Sequence, residues 1–268
     1  MTELQKCEFF LLKEALKIIE QERLTYYLVC GTALGAVKYD GFIPWDDDID
    51  IALPREDYER FLNIALKSLP KEIELQNHRY DSCVPFFYTK LRLSNTTFIE
   101  KTVEEFDINH GVFIDVFPLD GLPHGKSRAL IFEIKKRIVW RLISTVFKRD
   151  NRWKNIVIAP FRIIVRRKLN FLVRKYESLI SKVSITDSQY ICNFGNSPSR
   201  TEYSPKSHYG KGVLAQFEGL EVIVPSGYDE YLTLKYGCWR EDLPEDERKG
   251  HHYVSVIDLE RPYTYYKS

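Results

Sequence analysis

Residues 45–54 read Trp-Asp-Asp-Asp-Ile-Asp-Ile-Ala-Leu-Pro, and the fold turns on how this stretch is read. Four carboxylates, Asp46, Asp47, Asp48 and Asp50, fall within five positions, immediately before and inside an apolar run. A strand over 49–53, closed by Pro54, sends Ile49 and Ile51 into a core and puts Asp48 and Asp50 together on its other face. Two carboxylates held side by side repel one another, and a bound Mg²⁺ or Mn²⁺ is the simplest relief. The bland alternative is a solvated acidic loop. Upstream, Tyr26–Cys30 reads as a short buried strand stopped by Gly31. Gly31 and Thr32 at a helix start then let backbone amides and a hydroxyl approach a phosphate. Downstream, Tyr58, Phe61, Leu62, Ala65 and Leu66 mark the inner face of a helix.

Working outward, Phe9, Leu12, Leu16 and Ile19 predict an amphipathic helix over about 6–23. Segments 85–93 and 111–117 are further strand candidates. The second carries Asp115 alone among apolar residues, and a buried carboxylate is costly unless paired or metal-bound. Asp48, Asp50 and Asp115 together would hold a metal, activate an attacking hydroxyl and screen phosphate charge as a leaving group departs. These elements make an α+β (mixed α/β) unit with a small mixed sheet flanked by helices.

The 268 residues are 44% hydrophobic and carry a net charge of +1, so the chain can bury a large core and has no global pull toward nucleic acid. The charge is unevenly placed. Residues 126–182 hold 17 Lys and Arg against only Glu133, Asp150 and Glu177, which predicts two or three basic amphipathic helices, broken near Asp150–Trp153 and at Pro160. The expected organisation is a catalytic core over 1–125, this helical insertion over 126–183, and a part over 184–268 that completes the core and the site. Gly195, Asn196, Pro198, Gly210, Gly212, Gly219 and Pro225 punctuate a strand-and-loop stretch, and Tyr228–Tyr236 reads as a helix capped by Gly237. Five scattered cysteines without a CxxC pair fit a reducing cytoplasm. No secretion signal or run of membrane-spanning length is seen.

Four stretches, GTALGAVKYDGFIPWDDDIDIALPREDYERF (31–61), HGVFIDVFPLDGLP (110–123), FEGLEVIVPSGYDEYLTLKYG (217–237) and LPEDERKGHH (243–252), resemble in order the LicD phosphocholine transferases, relatives of fukutin and fukutin-related protein. The resemblance implies a nucleotidyltransferase (polymerase-beta-like) fold with Asp48 and Asp50 as the metal pair and Asp115 as third acid. It implies a CDP-choline donor, from which a sugar hydroxyl of a cell-surface glycan or teichoic acid precursor takes phosphocholine and releases CMP. Lys38, Lys90, Arg92, Arg248, His251 and His252 then become candidates, with Gly31 and Thr32, for holding the donor phosphates. His251 and His252 are adjacent, so at most one faces the site. Cys238 departs from the acid expected after the Tyr-Gly pair.

Choline would be held by aromatic faces, and Trp45, Tyr88 and Trp239, with Phe86 and Phe87, are near the motifs in sequence. The carboxylates do not read the transferred alcohol, so ribitol phosphate or glycerol phosphate from a CDP-alditol is the alternative. Basic helices carrying Trp140, Phe147, Trp153 and Phe161 suit peripheral contact with an anionic inner membrane face and a lipid-linked acceptor. A nucleic-acid partner is not expected, since it leaves the acid cluster unexplained.

Overall fold

The computed structural model describes residues 1–147, 161–194 and 202–266. Helix α1 (Glu3–Gln21) starts earlier than its apolar spacing indicates, because Thr2 and Gln5 cap it reciprocally through bonds of 3.1 and 2.9 Å. The strand expected over 26–30 is two residues long, β1 (Tyr27–Leu28). The chain turns at Cys30, whose φ of 52° is left-handed, and enters α2 (Cys30–Tyr39). Then come β2 (Asp50–Pro54), α3 (Arg55–Ser68), β3 (Ile73–Gln76), β4 (Thr89–Leu93), β5 (Thr97–Glu100) and β6 (Val112–Gly121). Residues 85–88, read as strand, are not: Pro85 lacks a donor for a ladder, and Phe86 and Phe87 are turned inward instead.

The main sheet runs β1-β2-β6-β4-β3. Only β2 and β6 are parallel; the other pairs are antiparallel. All ten residues of β6 are buried, as befits a central strand with both faces covered. Its far end pairs with β7 (Tyr190–Cys192), which pairs with β8 (Tyr203–Pro205). The core gathers Leu12, Leu16 and Ile19 of α1, Phe61 and Leu62 of α3, and Ile51, Leu53, Ile114 and Val116 of the sheet. This is the mixed sheet with flanking helices that the sequence indicates.

The C-terminal part adds α6 (Lys206–Tyr209), the ribbon β9 (Val213–Phe217) and β10 (Leu220–Val224), and α7 (Tyr228–Tyr236), which ends at Gly237 with φ 66° as its sequence predicts. A strand not foreseen, β11 (Val254–Asp258), pairs antiparallel with β5, Val254 opposite Glu100. This pairing returns the polar tail to the sheet.

In the basic segment, α4 (Lys126–Phe147) and α5 (Leu169–Ile180) bury Phe132, Val139, Ile143, Val173 and Tyr176 in a second apolar cluster with Phe87, Cys192 and Phe194. The breaks expected at Asp150–Trp153 and Pro160, and the punctuation at Gly195, Asn196 and Pro198, lie outside the described residues. One of the segment's three acids ties it to the core. Glu177 of α5 accepts from Arg79 at 2.6 Å, His78 at 2.9 Å and Arg55 at 3.3 Å, while Arg55 grips Asp120 of β6 through two bonds of 2.8 and 2.6 Å. Burial alone would raise the Glu177 carboxyl, but hydrogen bonds and charge from His78 and Arg79 outweigh it and hold the group at about 2.

A carboxyl held below its ordinary value stabilises the fold above about pH 4.5, and that contribution is lost as pH falls toward 2. Glu177→Gln is therefore expected to cost on the order of 3 kcal/mol at pH 7, with the gap to wild type closing between about pH 4.5 and 2 in urea melts. A gap that stays constant over that range would contradict the assignment.

Candidate active site

The parallel pairing of β2 and β6 sets Asp50 directly opposite Asp115, so two carboxylates share one face of the sheet. On the other side of β6, Lys90 of β4 is the register partner of Asp115. Its Nζ lies 2.9 Å from Asp115 Oδ1 and 3.7 Å from a Glu100 oxygen. The Lys90 ammonium is enclosed, 2% exposed, and sits 3.3 Å over the Phe113 ring. Arg92, one pleat further along β4, is fully buried: it donates to Glu100 at 2.7 Å, to the Gly111 carbonyl at 2.8 Å and to Gln76 at 3.1 Å.

The loop before β2 supplies the rest. Asp50 starts the strand and Asp48 precedes it, so the two are not successive outward positions of one regular strand as the period-two reading had them. Asp46, Asp47 and Asp48 instead converge, with carboxylate oxygens within 4.8 Å of one another. Gln5 of α1 holds the loop from below, donating to the Asp46 carbonyl at 3.1 Å. Thr32 Oγ1 accepts the Asp50 N–H at 2.8 Å and fixes where the strand begins. Gly31 leaves room for Asp46, since a β-carbon there would lie 2.8 Å from Asp46 Oδ2. The tail closes over Asp47, whose carboxylate accepts the backbone N–H of His251 at 3.0 Å and of His252 at 3.2 Å. The His252 ring meets Asp47 at 3.1 Å and approaches Asp48 and Glu100 at 4.0 and 3.9 Å. Gly250 permits the approach, a β-carbon there falling 2.4 Å from Asp47 Oδ2.

The electrostatics are those of excess negative charge out of water. Burial, then the charges of Asp48, Asp115 and Asp46, push the Asp50 carboxyl well up. Burial raises Asp115 too, against the pull of Lys90. Asp48 is raised by burial and by Asp46. Glu100 goes the other way: burial would raise it, but Lys90, Arg92 and His252 hold it at about 2. Seven carboxyls, counting Glu8, thus face Lys90, Arg92 and His252. The donors are hard oxygens throughout, the set that suits Mg²⁺, Mn²⁺ or Ca²⁺ rather than a thiolate-loving metal. Such a group cannot stay fully ionised without further positive charge, so a divalent cation fits the residues present.

Residues 23–171 match the family described as LicD/FKTN/FKRP, nucleotidyltransferase domain. The chain belongs to this family. It is also 26% identical over 243 residues, 88% of this chain and 89% of the relative, to the lipopolysaccharide cholinephosphotransferase LicD of Haemophilus influenzae. Two short matches are to uncharacterized proteins of Rickettsia typhi, 39% identical over 54 residues, and Rickettsia prowazekii, 40% over 47; each covers 18% of the relative and 20% and 18% of this chain.

Within this family member, Asp48, Asp50, Asp115, Lys90, Gly31, Thr32 and His252 are brought together around one carboxylate cluster. His251 is exposed and contributes its backbone N–H. Trp45 and Arg248 meet nearby, the guanidinium 5.4 Å from the ring centre. Lys38 is directed to the tail, pairing with Asp242 at 2.8 Å and the Glu241 carbonyl at 2.9 Å. Arg92 is buried with its donors committed to Glu100, Gln76 and Gly111, so it acts on the carboxylate cluster through Glu100. Trp239 is buried, its indole N–H on Asp229 at 3.2 Å. Tyr88 stacks on Phe86 at 5.0 Å and packs on Phe117 at 4.8 Å, with the Lys90 ammonium 5.7 Å from its ring. Phe87 belongs to the second cluster, against Trp140 and Tyr176. Cys238 is exposed.

Two acids of the site were not singled out from the sequence. Glu100 sits at the end of β5, and no local pattern marks it. Glu8 is 1% exposed, with one carboxylate oxygen lacking a hydrogen-bond partner; burial, then Asp48, Asp47 and Asp46, raises it well above the ordinary value. Its signal was available, since Gln5 and Glu8 continue the spacing of Leu12, Ala15 and Ile19 into the first turns of α1. A cleft of about 580 Å³ lies elsewhere, between Leu122–Lys126, α4 and Tyr190, and shares no residue with the carboxylate cluster.

The Asp47 carboxylate is the latch for the tail. Asp47→Asn is expected to lower the hydrogen-exchange protection of the His251 and His252 amides about tenfold with the fold retained, and Gly250→Ala to do the same by crowding. Unchanged protection in both variants would exclude the latch.

Proposed function

We propose that the chain transfers phosphocholine from CDP-choline to a sugar hydroxyl of a cell-surface glycan or teichoic acid precursor and releases CMP. The observation that carries this reading is the register pair Asp50 and Asp115 with Asp48 beside it, in a chain of the LicD family whose Haemophilus relative is named a cholinephosphotransferase. The acceptor oxygen attacks the phosphorus bearing choline, the bond to the CMP oxygen breaks, and CMP leaves with the electron pair. The acceptor proton would pass to a carboxylate of the cluster, Asp115 in this reading, which the register holds opposite Asp50. Mg²⁺ or Mn²⁺, which Asp48, Asp50 and Asp115 would hold, supplies positive charge against the phosphate oxygens. Lys90 orients Asp115, and Arg92 fixes Glu100 so that Lys90 stays between two acids. His252, tied to Asp47, brings its imidazole ring beside Asp48 and Glu100, where it could donate to a donor phosphate. Thr32, buried with its hydroxyl on the Asp50 N–H, and Gly31, against which Asp46 packs, set the position of the carboxylates at the start of α2, where the donor phosphates would approach.

A second reading, transfer of ribitol or glycerol phosphate from a CDP-alditol, is favoured by one feature. Of the aromatics considered for a choline cage, Trp239 and Phe87 are packed elsewhere, and Lys90 lies over Phe86, Tyr88 and Phe113.

Incubation with CDP-choline, CDP-ribitol or CDP-glycerol, an acceptor glycan and Mg²⁺ or Mn²⁺ decides between them by CMP release. The expected result is release from CDP-choline, abolished by chelation. Asp48→Asn, Asp50→Asn and Asp115→Asn should each reduce it more than about 100-fold, since loss of even an outer-shell partner costs 10–100-fold, with melting temperature preserved. Release from an alditol donor alone selects the second reading, and normal turnover by the Asn variants removes the site.

A further inference from the structure

We propose that the outward face of α4 seats the protein on an anionic lipid surface. The helix is apolar on two opposite sides. Phe132, Lys136, Val139 and Ile143 recur at three- and four-residue spacing and are buried against α5 and its surroundings. Leu130, Ile131, Ile134 and Ile138 are 57, 52, 51 and 56% exposed, and at 3.6 residues per turn they fall within about 100° of arc on the side away from that cluster. Singly exposed aliphatic residues are ordinary; four on one stripe of one helix call for a cover.

The charges choose the cover. Lys126, Arg128, Lys135, Arg137 and Arg141, all exposed, border the stripe, and the one acid of the helix, Glu133, is turned inward onto Lys136 at 3.0 Å. The same composition follows in chain order, where exposed Phe161, Ile163 and Ile164 stand among Arg162, Arg166, Arg167 and Lys168. A second copy of the chain would bring like charges face to face. Anionic headgroups complement the basic border, while the acyl boundary receives the aliphatic stripe, as for helices that lie in a membrane interface. Among the described residues no helix is long and apolar enough to cross a membrane, so α4 would lie in the surface. Leu130 and Lys126 also line the 580 Å³ cleft, so the stripe borders the mouth of a concavity.

The proposal does not depend on the transferred group. Flotation of the full chain with vesicles of equal parts phosphatidylcholine and phosphatidylglycerol is expected to carry the protein at low salt and to release it at high salt, while pure phosphatidylcholine vesicles leave it behind. Ile134→Glu with Ile138→Glu should weaken binding at least about tenfold without changing the melting temperature, and Lys135→Gln with Arg141→Gln provides a second variant that leaves the apolar stripe intact. Lys17→Glu on α1, an equivalent charge reversal elsewhere, should bind as wild type. Equal flotation with both vesicles, no flotation with either, or undiminished binding by both double variants would overturn the proposal. So would a lipid-free dimer that Ile134→Glu with Ile138→Glu dissolves, or capture by an acidic protein with no vesicle binding.

Discussion

The site depends on one register, the parallel pairing of β2 with β6 that sets Asp50 opposite Asp115. Placing two carboxylates side by side in a buried sheet is unfavourable, and much of the surrounding structure offsets it. Lys90 approaches Asp115 from the opposite neighbour, Glu100 balances Lys90, and Arg92 holds Glu100 while its remaining donors anchor to Gln76 and Gly111. The result is a row of alternating charge whose one surplus, on the β2 side, is negative. A slip of one residue in that pairing would turn Asp50 to the opposite face.

The same strand connects the site to the rest of the molecule. Five residues beyond Asp115, and on the other face, Asp120 takes both arms of Arg55, which reaches Glu177 of the basic segment. The acid that anchors the basic segment and the acid of the site therefore belong to one rigid element. At the tail, β11 pairs with β5 so that Val254 meets Glu100, which carries His252 over Asp47. Chain ends far apart in sequence are thus fixed around a single cluster.

Much of this was legible in advance because the carboxylates are adjacent in sequence and the strands that hold them are strongly apolar. The run at 45–54, the isolated Asp115 and the helix closed by Gly237 each carry a local signal. What was not legible came from long-range contacts. Nothing local to Glu100 or β11 announces their pairing, and Arg92 reads as an available cation until the structure shows three buried acceptors around it. Glu8 was readable in principle, as an acid on the core-facing stripe of α1, but a polar residue near a helix start is ordinarily solvated. The strand expected over 85–93 begins only at Thr89, because Pro85 has no donor for a ladder and Phe86 and Phe87 turn inward.

The most direct test of the central pair is Mn²⁺ affinity, measured by electron paramagnetic resonance on wild type, Asp50→Asn, Asp115→Asn and the double variant. If the two carboxylates act as one site, each single change abolishes most of the binding and the double change adds little, a strongly non-additive cycle. Wild-type affinity in either single variant, or losses that simply add, would contradict the account.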